Sequence, residues 1–173
     1  MTNTVCGKPL AGDVIQNDKR VVEQADPSVL EDAIDAVFEF PQVEAFKWDQ
    51  YTPYFNDGDP CEFRVQGGNV AFKFVGVEED NYYGDGFFRL DDGLLDYDWI
   101  TEPVWKIINE RLNERVEPSI PEEDQANLIK AIQDLSTQLD NGTHEVFLRK
   151  TFGDHAEITV TREGFSVDYY EHE

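Results

Sequence analysis

The spacing of apolar residues predicts an α+β protein whose first element is a helix. Asp26 can act as its N-cap and Pro27 fits the first helical position. Ser28 and Glu31 resemble a capping box. One apolar face then recurs at helical spacing through residue 40, formed by Leu30, Ile34, Val37 and Phe38. Pro41 ends this helix.

Two further helices are predicted in the second half of the chain. Thr101 caps the first and Pro103 opens it, with Val104, Ile108, Leu112 and Val116 on one face before Pro118. The next covers about residues 122–139, with Leu128, Ile132, Leu135 and Leu139 at helical spacing. Asn141-Gly142 supplies its C-terminal stop.

Strand patterns predict two groups of β-structure. Val43 to Tyr51 is a predicted strand, and the two prolines and Asn-Asp-Gly run of 52–60 predict an ordered turn. Residues 61–66 and 69–76 alternate as a hairpin across Gly67-Gly68.

The C-terminus is predicted to be a three-strand antiparallel meander. Its apolar sets are Val146, Leu148 and Phe152; Ala156, Ile158 and Val160; and Phe165, Val167 and Tyr169. Only a pairing of Leu148 with Val160, and of Val160 with Phe165, places all three sets on one face. We expect helices to cover that face.

These elements predict one α+β domain over residues 26–173, with the antiparallel hairpins and meander packed against about three helices. The polar, aperiodic residues 1–25 are predicted to be an arm or loop. Cys6 and Cys61 show no metal or redox spacing, which favours free thiols in a cytoplasmic protein. A long apolar run at the N-terminus or elsewhere is absent, so neither a signal peptide nor a membrane span is expected.

The charge of the chain is its most unusual property. It contains 37 Asp and Glu against 14 Lys and Arg, a net charge of −23 among 173 residues. Such a surface repels nucleic acid and anionic lipid, so neither is an expected direct partner, whereas basic surfaces are attracted. Solubility alone and adaptation to high salt are the alternatives, although Lys being as common as Arg weakens the second.

Acids and aromatic rings are interleaved most densely from residue 78 to residue 102, which gives the candidate partner-binding site. Carboxylates there can stand in for phosphates, and exposed rings can anchor a partner. The alternative is a solvated face over core aromatics. The candidate residues are Glu78, Glu79, Asp80, Tyr82, Tyr83, Asp85, Asp91, Asp92, Asp96 and Asp98.

Two stretches resemble a known group of sequences. The segment WDQYTPYFNDGDPCEF, from Trp48 to Phe63, and the ending that starts FGDH at Phe152 are similar to uncharacterised bacteriophage-encoded proteins. The resemblance covers about a third of the chain. It implies a phage origin, and hence the host cytoplasm as the location, but no activity.

Catalytic and metal-binding chemistry is weakly indicated. The Asn56-Asp57-Gly58-Asp59 loop offers oxygen ligands but lacks EF-hand spacing, and a self-bonded turn explains the same residues. Asp154 and His155 could form an acid–base pair near Glu171 and His172, although turn chemistry also explains Asp154. The rings of Trp48, Tyr51, Tyr54 and Phe55 could stack a ligand, but core packing is the favoured interpretation. We expect no cofactor and no metal.

The sequence therefore favours a non-enzymatic accessory protein of a phage that binds a basic host protein. In its most specific form it mimics DNA and inhibits a nucleic-acid-binding host or defence factor. One alternative is a virion or assembly component whose acidity serves only solubility. Another is an unrecognised hydrolase using Asp154 and His155. The oligomeric state is left open.

Overall fold

The computed structural model describes residues 4–5, 8–9, 22–55, 57–58, 60–76, 86–89 and 121–169. Its strands are β1 (Thr4–Val5), β2 (Lys8–Pro9), β3 (Val43–Tyr51), β4 (Arg64–Val65), β5 (Ala71–Phe74), β6 (Phe88–Arg89), β7 (Ala156–Thr161) and β8 (Gly164–Tyr169). Its helices are α1 (Pro27–Phe38), α2 (Glu122–Asp140) and α3 (Glu145–Phe152). The α+β fold is confirmed.

The main sheet is antiparallel and is built around β3. Its strands lie in the order β6-β5-β3-β7-β8, and β4 pairs with the end of β3. Strands β1 and β2 form a separate pair within the predicted arm. The long predicted strand Val43–Tyr51 is confirmed at both ends, and its buried side chains, Phe46 and Trp48 among them, form the centre of the core.

Helix α1 begins at the predicted residue but ends at Phe38, two residues before the predicted end, and α2 ends where Asn141-Gly142 predict. The Ser28 amide donates to Asp26 Oδ1 at 2.9 Å, so Asp26 is the N-cap and the Ser28–Glu31 capping box is not used. Asn141 caps the C-terminus of α2, and Gly142 follows with a φ of +79°. The apolar residues predicted for α2, Leu128 to Leu139, are all buried.

The predicted hairpin across Gly67-Gly68 is wrong. Strands β4 and β5 do not pair with each other; both run antiparallel to β3, with Val65 opposite Gln50 and Ala71 opposite Lys47. Residues Gly67–Asn69 form a 3₁₀ turn between them. The two glycines therefore separate two strands that lie one after the other along β3, instead of reversing the chain.

The first strand of the predicted meander is also wrong, because 145–152 is helix α3. Leu148 is fully buried while Val146 is exposed, and Leu148 and Phe152 lie on one side at an i, i+4 spacing. Gly153, with a φ of +89°, ends the helix. The buried Gln50 amide donates to Leu148 O at 3.2 Å and Gly153 O at 2.6 Å, which fixes this end of α3 to β3.

The remaining hairpin has the predicted register. Ile158 lies opposite Val167, and Val160 lies opposite Phe165. Strand β7 pairs on its other side with β3 instead of residues 146–152.

The expected helical cover of this hairpin extends only to β7. Ala156, Ile158 and Val160 are buried, whereas Phe165, Val167 and Tyr169 are 52%, 47% and 72% exposed. The described helices therefore leave the apolar side of the edge strand β8 open.

The predicted helix with Val104, Ile108, Leu112 and Val116 lies outside the described residues. Among the described helices, none has the length and apolar character needed to cross a membrane.

Candidate functional site: an acidic helix beside an apolar groove

The ten candidate residues named from the sequence, from Glu78 to Asp98, lie outside the described residues. Residues 86–89 of that stretch are described, and the side chains of two of them make contacts with the sheet. Phe87 is half-buried with Lys47 Nζ 4.9 Å from its ring centre, and Arg89 Nη2 lies 4.0 Å from Asp49 Oδ2. These two residues belong to the sheet surface.

A second concentration of carboxylates is well described and surrounds helix α1. From residue 22 to residue 46 the chain has seven acids and no Lys or Arg, and all seven are exposed. We call the six of them on or beside α1 the α1 acidic surface: Glu23, Asp26, Glu31, Asp32, Asp35 and Glu39. The seventh, Glu44, belongs to β3.

The fold fixes how helix α1 presents these acids. Leu30, Ala33 and Val37 are buried on one side, so the acids between them project outward. The Ser28 backbone N–H, and then its hydroxyl, hold the pKa of Asp26 below its ordinary value. The negative charge at this end of α1 therefore also stabilises the helix dipole.

An apolar groove of about 630 Å³ lies beside this surface, between α1 and α3 and next to the β7–β8 turn. Its apolar lining includes Leu30, Ile34, Phe38, Phe147, Phe152 and Phe165. Phe147 and Phe165 are 38% and 52% exposed. The Phe152 and Phe165 rings lie 5.4 Å apart across its edge.

The charged residues that line this groove are mainly acidic. Glu31 and Asp35 come from α1, and Glu163 comes from the β7–β8 turn. Arg162 is the base in the lining, and its guanidinium already donates to the carbonyls of Phe38 at 2.6 Å, Phe40 at 2.9 Å and Val43 at 3.2 Å. The groove thus combines an apolar interior with an anionic margin.

No family model, curated protein or solved structure matches this chain. The resemblance to bacteriophage-encoded proteins therefore stays a prediction from the sequence.

The exposed face of the sheet, in contrast, carries balanced charges. Lys47 Nζ lies 3.2 Å from Glu157 Oε2, and Lys73 Nζ lies 3.7 Å from Glu44 Oε1. Burial and the facing Glu157 carboxylate raise the pKa of Asp49, against the opposing effect of Arg89 and Lys47. Pairing of this kind lowers the local field, so this face is a weaker candidate for attracting a basic partner.

Asp154 and His155 do lie together, but the arrangement is that of a structural turn. Asp154 accepts from the Thr52 amide at 2.7 Å, the Thr52 hydroxyl at 2.6 Å and the His155 amide at 3.0 Å. Burial alone would raise the pKa of Asp154, but these hydrogen bonds and the nearby imidazole hold it below its ordinary value. The carboxylate therefore fixes the end of β3.

The His155 ring is poorly placed to exchange a proton with a substrate. Its Nδ1 is buried, its Nε2 lies 3.8 Å from Asp154 Oδ1, and its face stacks on Tyr54 with the ring centres 4.9 Å apart. Glu171 and His172, proposed to lie nearby, are outside the described residues.

The structure supports only part of what was predicted for the aromatic cluster of Trp48, Tyr54 and Phe55. Trp48 is buried, as predicted for core packing, but Tyr54 and Phe55 are 66% and 78% exposed, so that interpretation is wrong for them. Of the loop at residues 56–59, considered above as a candidate for binding a cation, Asp57 and Gly58 are described and form a turn with positive φ. The described residues contain no group of three or more His, Cys, Asp or Glu suited to a metal ion. Cys61 is exposed and free.

The α1 acidic surface was missed by sequence reasoning, although a signal for it was present. Seven acids without a base over 25 residues can be counted from the sequence. The stretch at 78–102 holds nine acids in the same length and is therefore the stronger signal in the sequence. The groove had no such signal, because residues distant in sequence line it.

Proposed function

We propose that the protein is a non-enzymatic binding protein that docks its α1 acidic surface on a basic surface of another protein. The observation that supports this most directly is the set of six exposed carboxylates between residues 22 and 40, with no Lys or Arg among them. The paired charges on the exposed face of the sheet show what a neutralised surface looks like in the same molecule.

The physical basis is electrostatic steering. Like charges on one side of a protein add to a potential that attracts an oppositely charged partner and accelerates association. A row of carboxylates on a rigid helix can also occupy a cleft that normally receives DNA phosphates. Mimicry of DNA, acting on a nucleic-acid-binding host or defence factor, is the specific form of this function that we favour.

The decisive experiment compares two variants with the same net charge. Glu31→Gln, Asp32→Asn and Asp35→Asn together neutralise three acids of the α1 acidic surface. Asp57→Asn, Asp140→Asn and Asp168→Asn neutralise three exposed acids outside it. Each protein is immobilised, host lysate is applied at low salt, and bound proteins are eluted with rising salt, identified and compared between the variants.

We expect the wild type and the control variant to retain the same basic protein, and the α1 variant to lose it. Elution should occur as the Debye length falls toward about 8 Å near physiological ionic strength. Equal retention by both variants would mean that the charge acts as a diffuse coat. Failure of every form to retain a basic protein would reject the proposed function and leave solubility as the role of the acids.

A further inference from the structure

We propose that the groove between α1 and α3 binds an amphipathic helix that carries Lys or Arg beside its apolar stripe. This inference rests on the proposed function, since it names the part of a basic partner that the protein recognises.

The groove has the size and lining of a site for apolar side chains. Its volume of about 630 Å³ falls within the usual range of roughly 300–1,000 Å³ for binding pockets. Phe147 and Phe165 retain large exposed fractions at its edges, although both are large apolar residues. Covering them would remove apolar surface from water, which favours association.

The geometry of the groove favours a helix as the occupant. Helix α1 lines it with Leu30, Ile34 and Phe38, and helix α3 lines it with Phe147 and Phe152. Trp48 and Val160 of the sheet also contribute to the lining. Two helices beside a sheet leave a trough into which the apolar residues of a third helix fit at positions i, i+3, i+4 and i+7.

The charges at the groove select the kind of helix. Glu31, Asp35 and Glu163 face an occupant, while Arg162 is held by three backbone carbonyls. Lys or Arg beside the apolar stripe would therefore meet carboxylates. A second copy of this chain is disfavoured because each copy carries a net charge of −23.

A designed peptide pair provides the probe. The first peptide has Leu at positions i, i+3, i+4 and i+7 and Lys elsewhere, which makes an amphipathic helix. The second has the same composition in a scrambled order without the apolar stripe. Because both have the same charge, a difference in affinity measures recognition of the stripe and not electrostatic attraction alone.

We expect the wild type to bind the amphipathic peptide at least about tenfold more tightly than the scrambled peptide, which is the effect of burying one large apolar side chain. Phe147→Ser with Phe165→Ser should abolish this preference and leave the weak binding of the scrambled peptide unchanged. Phe55→Ser, which alters an exposed ring outside the groove lining, should retain it. Amide shifts in NMR spectra should concentrate in α1, α3 and the β7–β8 turn.

Several results would overturn the inference. The first is equal affinity of the wild type for the two peptides, and the second is a preference for the amphipathic peptide that survives in the Phe147/Phe165 variant. The third is a dimer of the wild type in sedimentation experiments that is lost in this variant, because a second copy of the chain would then be the occupant. Retention of the basic host protein by the Phe147/Phe165 variant, together with equal peptide affinities, would reject the groove and leave the proposed function intact. If the variant of Glu31, Asp32 and Asp35 loses the basic host protein while the Phe147/Phe165 variant retains it, the groove is likewise rejected and the proposed function stands.

Discussion

Gly67, in the turn between β4 and β5, packs directly against the backbone of helix α2. A Cβ added there would lie 2.6 Å from the Asp140 backbone N and 2.7 Å from the Ser136 carbonyl O. Both atoms belong to the helix backbone, which cannot move aside as the end of a flexible side chain could. The glycine is therefore required by close packing and not by a chain reversal.

Gly67→Ala should lower the free energy of unfolding by about 1–3 kcal/mol, the usual effect of overpacking. Gly68→Ala is the matched control, because a Cβ there meets nothing within 4 Å. Urea denaturation of the two variants measures the difference. Equal stability of the two variants would show that α2 does not pack on this turn as described.

His144 is a buried histidine whose ionisation should affect the stability of the fold. The residue is buried at the start of α3, and its Nε2 lies 3.0 Å from Gln138 Oε1. Its Nδ1 is buried without a hydrogen-bond partner in the described part of the chain. Burial lowers the pKa of His144 below its ordinary value. The imidazole is therefore neutral in the folded protein near neutral pH.

We expect His144 to make the protein less stable as the pH falls. Below about pH 6.5 the unfolded chain binds a proton at this residue more readily than the folded chain does. The stabilisation present at higher pH is thus lost from about pH 6.5 down to the lowered folded-state pKa. Urea unfolding of the wild type and of His144→Gln at several pH values should show a steeper decline for the wild type, and parallel profiles would contradict this prediction.

At the scale of elements, Arg162 connects the β7–β8 turn to the end of helix α1. Its guanidinium donates to the carbonyls of Phe38, Phe40 and Val43 and lies 5.1 Å from the centre of the Phe38 ring. The last carbonyls of a helix lack partners within the helix, and a cation there also offsets the dipole. One side chain thus joins α1, β3 and the hairpin beside the groove.

Arg162→Ala should reduce the free energy of unfolding by about 1–2 kcal/mol, because three carbonyls lose a charged donor. The free energy of unfolding of Arg162→Lys should lie between those of the wild type and Arg162→Ala, since an ammonium cannot reproduce the planar guanidinium contacts. Lys150→Ala controls for the change in net charge, because Lys150 is exposed on α3. Thermal or urea unfolding tests the order, and an effect of Lys150→Ala as large as that of Arg162→Ala would refute the role of these contacts.

At the scale of the whole molecule, the net charge of −23 opposes compactness. The paired charges on the exposed sheet face reduce this repulsion locally. Among the described residues, none forms an ion pair with the α1 acidic surface. Solvent ions or a basic partner would relieve the repulsion between its carboxylates. Binding of a basic partner should therefore also stabilise the fold.

Adding NaCl should raise the urea midpoint of the wild type, because ions screen the repulsion between carboxylates. The variant of Glu31, Asp32 and Asp35 should be more stable than the wild type at low salt, by a few tenths to about 1 kcal/mol. This advantage should shrink as salt is added. A midpoint that falls with salt, or an equal gain in the variant of Asp57, Asp140 and Asp168, would show that α1 is not the centre of repulsion.

The amino-acid sequence alone is enough to define the elements whose signals are local. Asp26 and Pro27 mark the start of α1, Asn141-Gly142 marks the end of α2, and apolar alternation fixes the register of β7 and β8. Capping and side-chain periodicity act between residues a few positions apart, so both can be recognised from a single sequence without knowledge of the fold.

Features that depend on distant residues are defined only in the folded chain. Residues 145–152 fit a short strand or a short helix, and their burial against β3 selects the helix. Gly67-Gly68 fits a hairpin turn until α2 is seen packing on it. The apolar pattern of β8 shows which side chains share a face, but not that the helices stop short of it. Acids can be counted along a chain, whereas their position beside an apolar groove exists only once α1, α3 and the β7–β8 turn have come together.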